Sequence, residues 1–282
     1  MSPLWRSVLF VPGTRPDRFA NALASGADAV VFDLEDSVEA GRKPDARRII
    51  AEFLTSPSSS QTSRLIRINA VDSAWFDDDL AFVRQMAAMD GIVLPKTETA
   101  AHVQAVASAA GSRHVVPLVE TARGILNAPA IAMAHTAIPA ILFGAEDLTA
   151  QLGIARSVDG EELLFARSLV VLAAAAAGVD AIDAVFTDLS SAGDLRQDAT
   201  RARALGFRGK MAIHPNQIAV IHDVFSPSAA DIERARGVVG AYDAALARGA
   251  GVIRLDDRMI DAPVVARARR VLAIAERLVS RT

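Results

Sequence analysis

The chain contains no cysteine. That absence removes disulfides, thiolate nucleophiles, iron-sulfur clusters and cysteine-ligated zinc together, and a cytoplasmic setting is the natural expectation. An excess of basic charge is also missing. Thirty Lys and Arg stand against 33 Asp and Glu, for a net charge of −3, so nothing domain-wide is available to neutralise phosphates and no nucleic-acid partner is expected. No apolar run is long enough to cross a bilayer, which takes about 20 residues. The most apolar stretch, Leu169 to Val179, is rich in alanine and far too short, so no membrane association is expected. At the N-terminus, Met1-Ser2-Pro3-Leu4-Trp5-Arg6 leads straight into the apolar run Val8 to Val11 without the basic start and cleavage site of a secretory signal, and is expected to be mature sequence.

What is present is the balance of a folded globular protein: 282 residues, 51% hydrophobic and 22% charged, enough to bury roughly three quarters of the unfolded surface. Short runs rich in Val, Ile, Leu and Phe recur, each followed by a turn and then by a stretch with helical spacing, the pattern of repeated βα units. The expected strands are Ser7 to Val11, Ala29 to Leu34, Arg64 to Asn69, Gly91 to Pro95, His114 to Glu120, Ala140 to Phe143, Ala181 to Val185 and Lys210 to His214. Eight such runs close a parallel (β/α)8 TIM barrel. Expected helices are Pro16 to Ser25, Pro44 to Leu54, Ser73 to Ala88, Glu98 to Ala109, Glu161 to Ala177 and Asp194 to Leu205, with Gly26, Gly111, Gly178 and Gly206 among the stops. The rival, an open doubly wound sheet, calls for a Gly-rich phosphate turn after the first strand, and Pro12-Gly13-Thr14-Arg15-Pro16 is not one. Ser56 to Ser63 is expected to be a polar, mobile loop.

The pattern predicts a barrel over residues 1–225 holding the active site. Residues 226–282 form a C-terminal helical extension, either a cap or an inter-subunit arm, with a helix from Ser228 to about Arg248 and a last amphipathic helix after Pro263.

Reactive groups in such a barrel sit where strands end. The second run ends Asp33-Leu34-Glu35-Asp36, the third Arg67-Ile68-Asn69 and the fifth Glu120, while the sixth is followed by Gly144-Ala145-Glu146-Asp147. Glu120 and Asp147 lie about one βα unit apart, which places them side by side at one rim, and two carboxylate oxygens there suit Mg2+ with several waters. The five histidines, His102, His114, His135, His214 and His222, show no close pairing of the kind zinc uses.

Each residue also has a plainer role. Strand-terminal acids cap helices; Arg67 can grip a substrate carboxylate or pair with Asp33 or Glu35; Asp36 can pair with Arg42 or Arg15. Lys96, one of three lysines with Lys43 and Lys210, is either a carboxylate partner or the Schiff-base amine of a metal-free aldolase. His214-Pro215 shapes the rim, and Trp5, Trp75 and the eleven phenylalanines are packing.

Leu9-Phe10-Val11-Pro12-Gly13, Asp33-Leu34-Glu35-Asp36, Arg67-Ile68-Asn69, Leu94-Pro95-Lys96, Glu120-Thr121-Ala122-Arg123-Gly124, Phe143-Gly144-Ala145-Glu146-Asp147-Leu148 and Ala212-Ile213-His214-Pro215 resemble, in order, the citrate lyase beta subunit-like branch of the HpcH/HpaI aldolase family. The resemblance runs from about residue 7 to Met259-Ile260-Asp261-Ala262-Pro263. It implies a magnesium-dependent carbon-carbon lyase acting on a citryl, malyl or citramalyl thioester, with a small acyl thioester and an oxoacid as its partners. Glu120 and Asp147 fall on metal-ligand positions, and Arg67 and again Glu120 on substrate-binding ones. The catalytic candidates are then Arg67, Glu35, Asp36 and Asp261, the last reaching a neighbouring subunit as acid or base, so that a homo-oligomer, foremost a trimer, is implied. Asp261 could equally cap the last helix. The alternatives are a class II oxoacid aldolase, an acyl-CoA thioesterase and a non-catalytic subunit of a larger lyase complex. Coenzyme A and an acyl-carrier protein both remain open as the thioester carrier, with contacts expected from the Pro12 to Arg18 loop.

Overall fold

The computed structural model describes residues 3–55, 61–157 and 159–280. In chain order the first unit runs β1 (Ser7–Pro12), α1 (Pro16–Ala24), β2 (Ala29–Asp33), α2 (Lys43–Phe53), β3 (Ser63–Arg67), α3 (Phe76–Gln85), β4 (Gly91–Leu94), α4 (Ala100–Ala110) and β5 (His114–Val119). It continues through α5 (Ala122–Leu126), α6 (Ala128–Ala132), β6 (Ala140–Phe143), α7 (Ala145–Leu152), α8 (Leu164–Ala177), β7 (Asp180–Asp183), α9 (Ala192–Leu205), β8 (Gly209–Ala212) and α10 (Ile218–Phe225). The eight strands pair in sequence order and β8 closes on β1, giving a parallel barrel. Among the described residues no helix is long and apolar enough to cross a membrane. Residues 56–60 of the expected Ser56 to Ser63 loop lie outside the described residues, and Ser63 itself already belongs to β3.

The strands are apolar on both faces because both are covered. Inward residues such as Val8, Val31, Leu65, Val93, Val116, Leu142, Ile182 and Met211 fill the barrel, while alternate residues such as Val30, Phe32, Ile66 and Ile92 pack against the helices. Trp5 joins the inner cluster, its indole N–H donating to Ser63 Oγ. The same alternation sends Asp33, two residues after Val31, and Arg67, two after Leu65, inward at the far end of their strands. They are register partners across β2 and β3.

Helices α8 and α9 stop where expected, while α3 ends at Gln85, three residues short of the expected Ala88. Gly178 and Gly206 take left-handed backbone at the ends of α8 and α9, with φ of 71° and 116°, where a side chain would be strained. Between β7, β8, α8 and α9 lies a closed ion network. Arg167 donates from Nε and Nη2 to the two Asp183 oxygens at 2.9 and 2.6 Å, and from Nη2 to Asp198 at 2.8 Å. Lys210 Nζ donates to Asp183 at 2.6 Å. It also sits 2.5 Å from Asp198 Oδ2, off the direction of a hydrogen bond. Two cations thus meet two carboxylates, all buried.

The chain separates into two compact units at Phe225/Ser226. The second contains α11 (Ala229–Leu246), an antiparallel hairpin of β9 (Ile253–Leu255) and β10 (Arg258–Ile260), and α12 (Ala262–Val279). Ser228 and Asp231 form a capping box at the start of α11. Tyr242, Ile260 and Val265 form its small core.

Candidate active site

At the carboxyl ends of the strands a cavity of about 280 Å³ is lined by, among others, Phe10, Arg67, Glu120, Asp147, Val185 and Met211. Asp33 accepts hydrogen bonds from Arg67 Nε at 2.6 Å and Nη2 at 2.7 Å. It also accepts from the Ser37 hydroxyl at 2.5 Å and the Glu35 N–H at 2.9 Å. Burial alone would push its carboxyl up, but the guanidinium and these donors hold it below the usual range. Arg67 Nη1 reaches Glu35 Oε2 at 2.9 Å, and the guanidinium lies over the Phe10 ring at 5.1 Å. Asp33 therefore occupies the Nε–Nη2 edge. A two-point grip on a substrate carboxylate is confined to the Nη1–Nη2 edge, where Glu35 already competes.

Glu120 follows β5, is 3% exposed, and accepts the Lys96 N–H at 2.8 Å. Burial, the charge of Asp147 and the charge of Glu35 push its carboxyl up to about 8. Its seat depends on Gly144 at the end of β6. A Cβ there would lie 2.5 Å from Glu120 Cβ and 2.6 Å from Oε2. Asp147 is not a strand end but lies in the first turn of α7, its side chain 37% exposed. Glu35 is pushed up to about 7 by burial, with Asp36 adding to the rise and Arg67 and Lys96 opposing it.

Lys96 takes left-handed backbone at φ 46°, which turns its N–H to Glu120 while its ammonium meets Glu35 and Asp36 (3.3 Å) and stands 3.9 Å from Asp147. Burial opposes its charge, but Glu35 and then Asp36 overcome the penalty and raise its pKa. The Schiff-base reading is thereby overturned: an amine held among carboxylates stays protonated and is no nucleophile. Asp36 has ion-pair partners other than Arg42 or Arg15. It meets Lys96 and, at 3.8 Å, Arg67, whereas Arg15 pairs with Asp17.

Several further candidates have partners of their own. Glu146 pairs with Arg156. Asn69 accepts from Lys43 and donates to Asp79. His214 caps the turn after β8 by accepting the Asn216 N–H, consistent with a rim-shaping role. Asp261 belongs to the second unit, where its side chain accepts the Val264 N–H and caps α12. Ser37 lies outside the quoted motifs, while Phe10, expected only as packing, and Gly144 lie inside them without a site role having been expected of either. For Phe10 the alternation with inward-facing Val8 was the available signal.

Among the described residues no three His, Cys, Asp or Glu side chains form a ready-made metal-binding group. Two carboxylates suffice for magnesium, which keeps several waters. Glu120 and Asp147 fit that donor set on this chain's own electrostatics, because the charge of Asp147 adds to the cost of ionising the buried Glu120 and a divalent cation bound by both would relieve it.

A profile of the HpcH/HpaI aldolase/citrate lyase family matches residues 6–215. The chain belongs to this family. It is 39% identical to the citrate lyase subunit beta of Escherichia coli K12, covering 96% of this chain and 93% of that one. It is 36% identical to a (3S)-malyl-CoA thioesterase of Cereibacter sphaeroides, covering 96% and 95%. Among solved structures, the Mycobacterium tuberculosis family member CitE, crystallised with magnesium, acetoacetate and coenzyme A, superposes with a TM-score of 0.83 at 37% identity over 97% of this chain and 98% of its own. Membership accounts for the closed barrel and for the order in which the mouth residues occur.

Proposed function

We propose that the protein is a magnesium-dependent carbon-carbon lyase that cleaves, or in reverse forms, a 3-hydroxyacyl thioester of the citryl, malyl or citramalyl type, giving an acetyl thioester and an oxoacid. The observation that carries this reading is the buried Glu120 carboxylate, raised to about 8 beside Asp147 and Glu35 in a cavity that also holds Arg67. The Mycobacterium tuberculosis relative, with its magnesium, oxoacid and coenzyme A, supports the same chemistry and coenzyme A as the carrier.

Glu120 and Asp147 are the residues that would hold the ion, which supplies Lewis acidity toward the substrate's oxygens. Arg67, locked by Asp33, offers its Nη1–Nη2 edge to a carboxylate and offsets negative charge as the bond breaks, an effect typically worth about 3 to 4 kcal/mol per donor. Glu35, at about 7, is suited to take the hydroxyl proton, with Asp36 beside it. The O–H electrons then form the oxoacid carbonyl, the carbon-carbon bond breaks toward the thioester, and its enolate is protonated at carbon. Asp261 is the acid for that last step, contributed by the second unit to a neighbouring copy in a homo-oligomer.

Incubating the purified protein and magnesium with citryl-, malyl- and citramalyl-CoA and weighing the products tests the reading. Acetyl-CoA plus an oxoacid, abolished by EDTA and restored by magnesium, is the expected result. Cleavage that survives chelation removes the metal from the mechanism, and no cleavage of any of the three defeats the lyase. A second reading, hydrolysis of the thioester, is favoured by the 36% identity to the malyl-CoA thioesterase and shows itself as free coenzyme A with an intact hydroxy acid.

A further inference from the structure

Of the three lysines, Lys96 and Lys210 end in ion pairs with carboxylates. Lys43, the first residue of α2, does not follow them. It is 5% exposed, and its ammonium donates to Leu34 O at 2.9 Å, Glu35 O at 3.1 Å and Asn69 Oδ1 at 2.6 Å. An ammonium has three protons, so all are committed, and each to an uncharged oxygen. The Trp75 ring covers the same nitrogen, its centroid 4.7 Å away. Burying a charge against neutral partners costs stability that an apolar side chain of similar length would spare. Packing therefore does not account for a lysine here.

The three acceptors say what it does. Leu34 and Glu35 are consecutive, so one nitrogen draws two successive carbonyls of the segment after β2 to a single point, while Asn69 lies two residues beyond the end of β3. Asn69 Nδ2 donates to Leu34 O as well, at 3.0 Å. Asn69 is itself anchored, because Asp79 of α3 accepts its N–H at 2.8 Å and also accepts from Arg47 of α2 at 2.7 Å. Lys43 thus ties together the ends of β2 and β3, the neighbouring strands that deliver Asp33, Glu35 and Arg67. Glu35 is held twice: its carbonyl by Lys43, and its carboxylate by Lys96 and by Arg67 Nη1 at 2.9 Å.

We infer that Lys43 is a positioning residue that acts through Glu35, fixing the main chain after β2 so that the Glu35 carboxylate stays on Arg67 Nη1. Its consequence for turnover rests on Glu35 serving as the base in the reaction proposed above.

A double-mutant cycle on the full chain with magnesium tests this. Lys43→Met keeps a stem of similar length and removes the ammonium. Its kcat is expected to fall on the order of 10²-fold, with the thioester KM and the magnesium concentration for half-activation within about threefold of wild type. In a Glu35→Gln background the same substitution should change kcat by less than about threefold. Equal losses in both backgrounds, or a Lys43→Met kcat close to wild type, overturn the inference. Should Lys43→Met fail to fold, Trp75→Leu loosens the same ammonium and is expected to lower kcat about fivefold, again only where Glu35 is present; a loss independent of Glu35 overturns the inference. A crystal structure of the folded variant reads the geometry without activity. Glu35 displaced from Arg67 Nη1 supports the positioning even if wild type cleaves no thioester, in which case the proposed reaction fails on its own; Glu35 unmoved overturns the positioning.

Discussion

Two charge clusters sit in one barrel and differ in their arithmetic. In the wall, Arg167 and Lys210 meet Asp183 and Asp198, two charges against two, and Asp198 is drawn down to about 2: burial alone would raise it, but the two cations outweigh that. At the mouth, five acids, Asp33, Glu35, Asp36, Glu120 and Asp147, outnumber the cations beside them among the described residues, Arg67 and Lys96 in ion pairs and Lys43 acting on Glu35, Asp33 and Asp36 by its charge, and both Glu35 and Glu120 are driven upward. Charge that closes on itself builds structure, whereas charge left open on one side is held in place by the surrounding fold and waits for a ligand.

Breaking the comparison at the mouth should give the largest effect. Glu120→Gln is expected to lower magnesium-dependent turnover on the order of 10³-fold while leaving the melting temperature of the metal-free protein unchanged or higher, as steady-state kinetics and circular dichroism can establish. Turnover within a few-fold of wild type would take Glu120 out of the metal site. Breaking it in the wall should do the reverse. Asp183→Asn leaves buried cations short of a partner and is expected to cost about 3 to 5 kcal/mol in denaturant unfolding, with kcat of the folded fraction little changed.

A smaller effect separates the clusters by pH. A carboxyl raised to about 8 in the folded protein lends stability that is whole below its ordinary value and lost as pH climbs through 8; Glu35 adds the same sign up to about 7. Asp198, drawn down to about 2, behaves oppositely: its contribution is whole above the ordinary aspartate value and fades only as pH falls toward 2. Between pH 5 and 8 the melting temperature of metal-free protein should therefore fall through the mouth alone. Glu120→Gln should flatten the slope, and saturating magnesium should remove most of it. A slope identical in wild type and variant would assign the pH dependence elsewhere.

The barrel was legible because its strands are short, apolar on both faces and separated by helices with long apolar stripes; the observed ends fall close to the expected ones. The helices α5, α6, α7 and α10 were not, since five to eight residues span too few turns for a 3.6-residue period to register. At the site, strand-end position and family resemblance were enough to single out Arg67, Glu120 and Asp147. What stayed hidden was pairing. Nothing in the spacing says that Asp33 takes one whole edge of Arg67, or that the Lys96 ammonium lies among carboxylates rather than in an apolar pocket, because both facts depend on strand register and on a backbone turn. Gly144 was similarly silent, its meaning set by a glutamate on the neighbouring strand.

The left-handed turn at Lys96 joins two duties in one amino acid: its main chain steadies the acid on β5 and its side chain tethers the acids after β2. Glycine at position 96 would accept the same twist without complaint and would keep the first duty while dropping the second. The pair of tasks can thus be prised apart with one codon, leaving the loop's path intact and Glu35 with Arg67 as its remaining ion-pair cation.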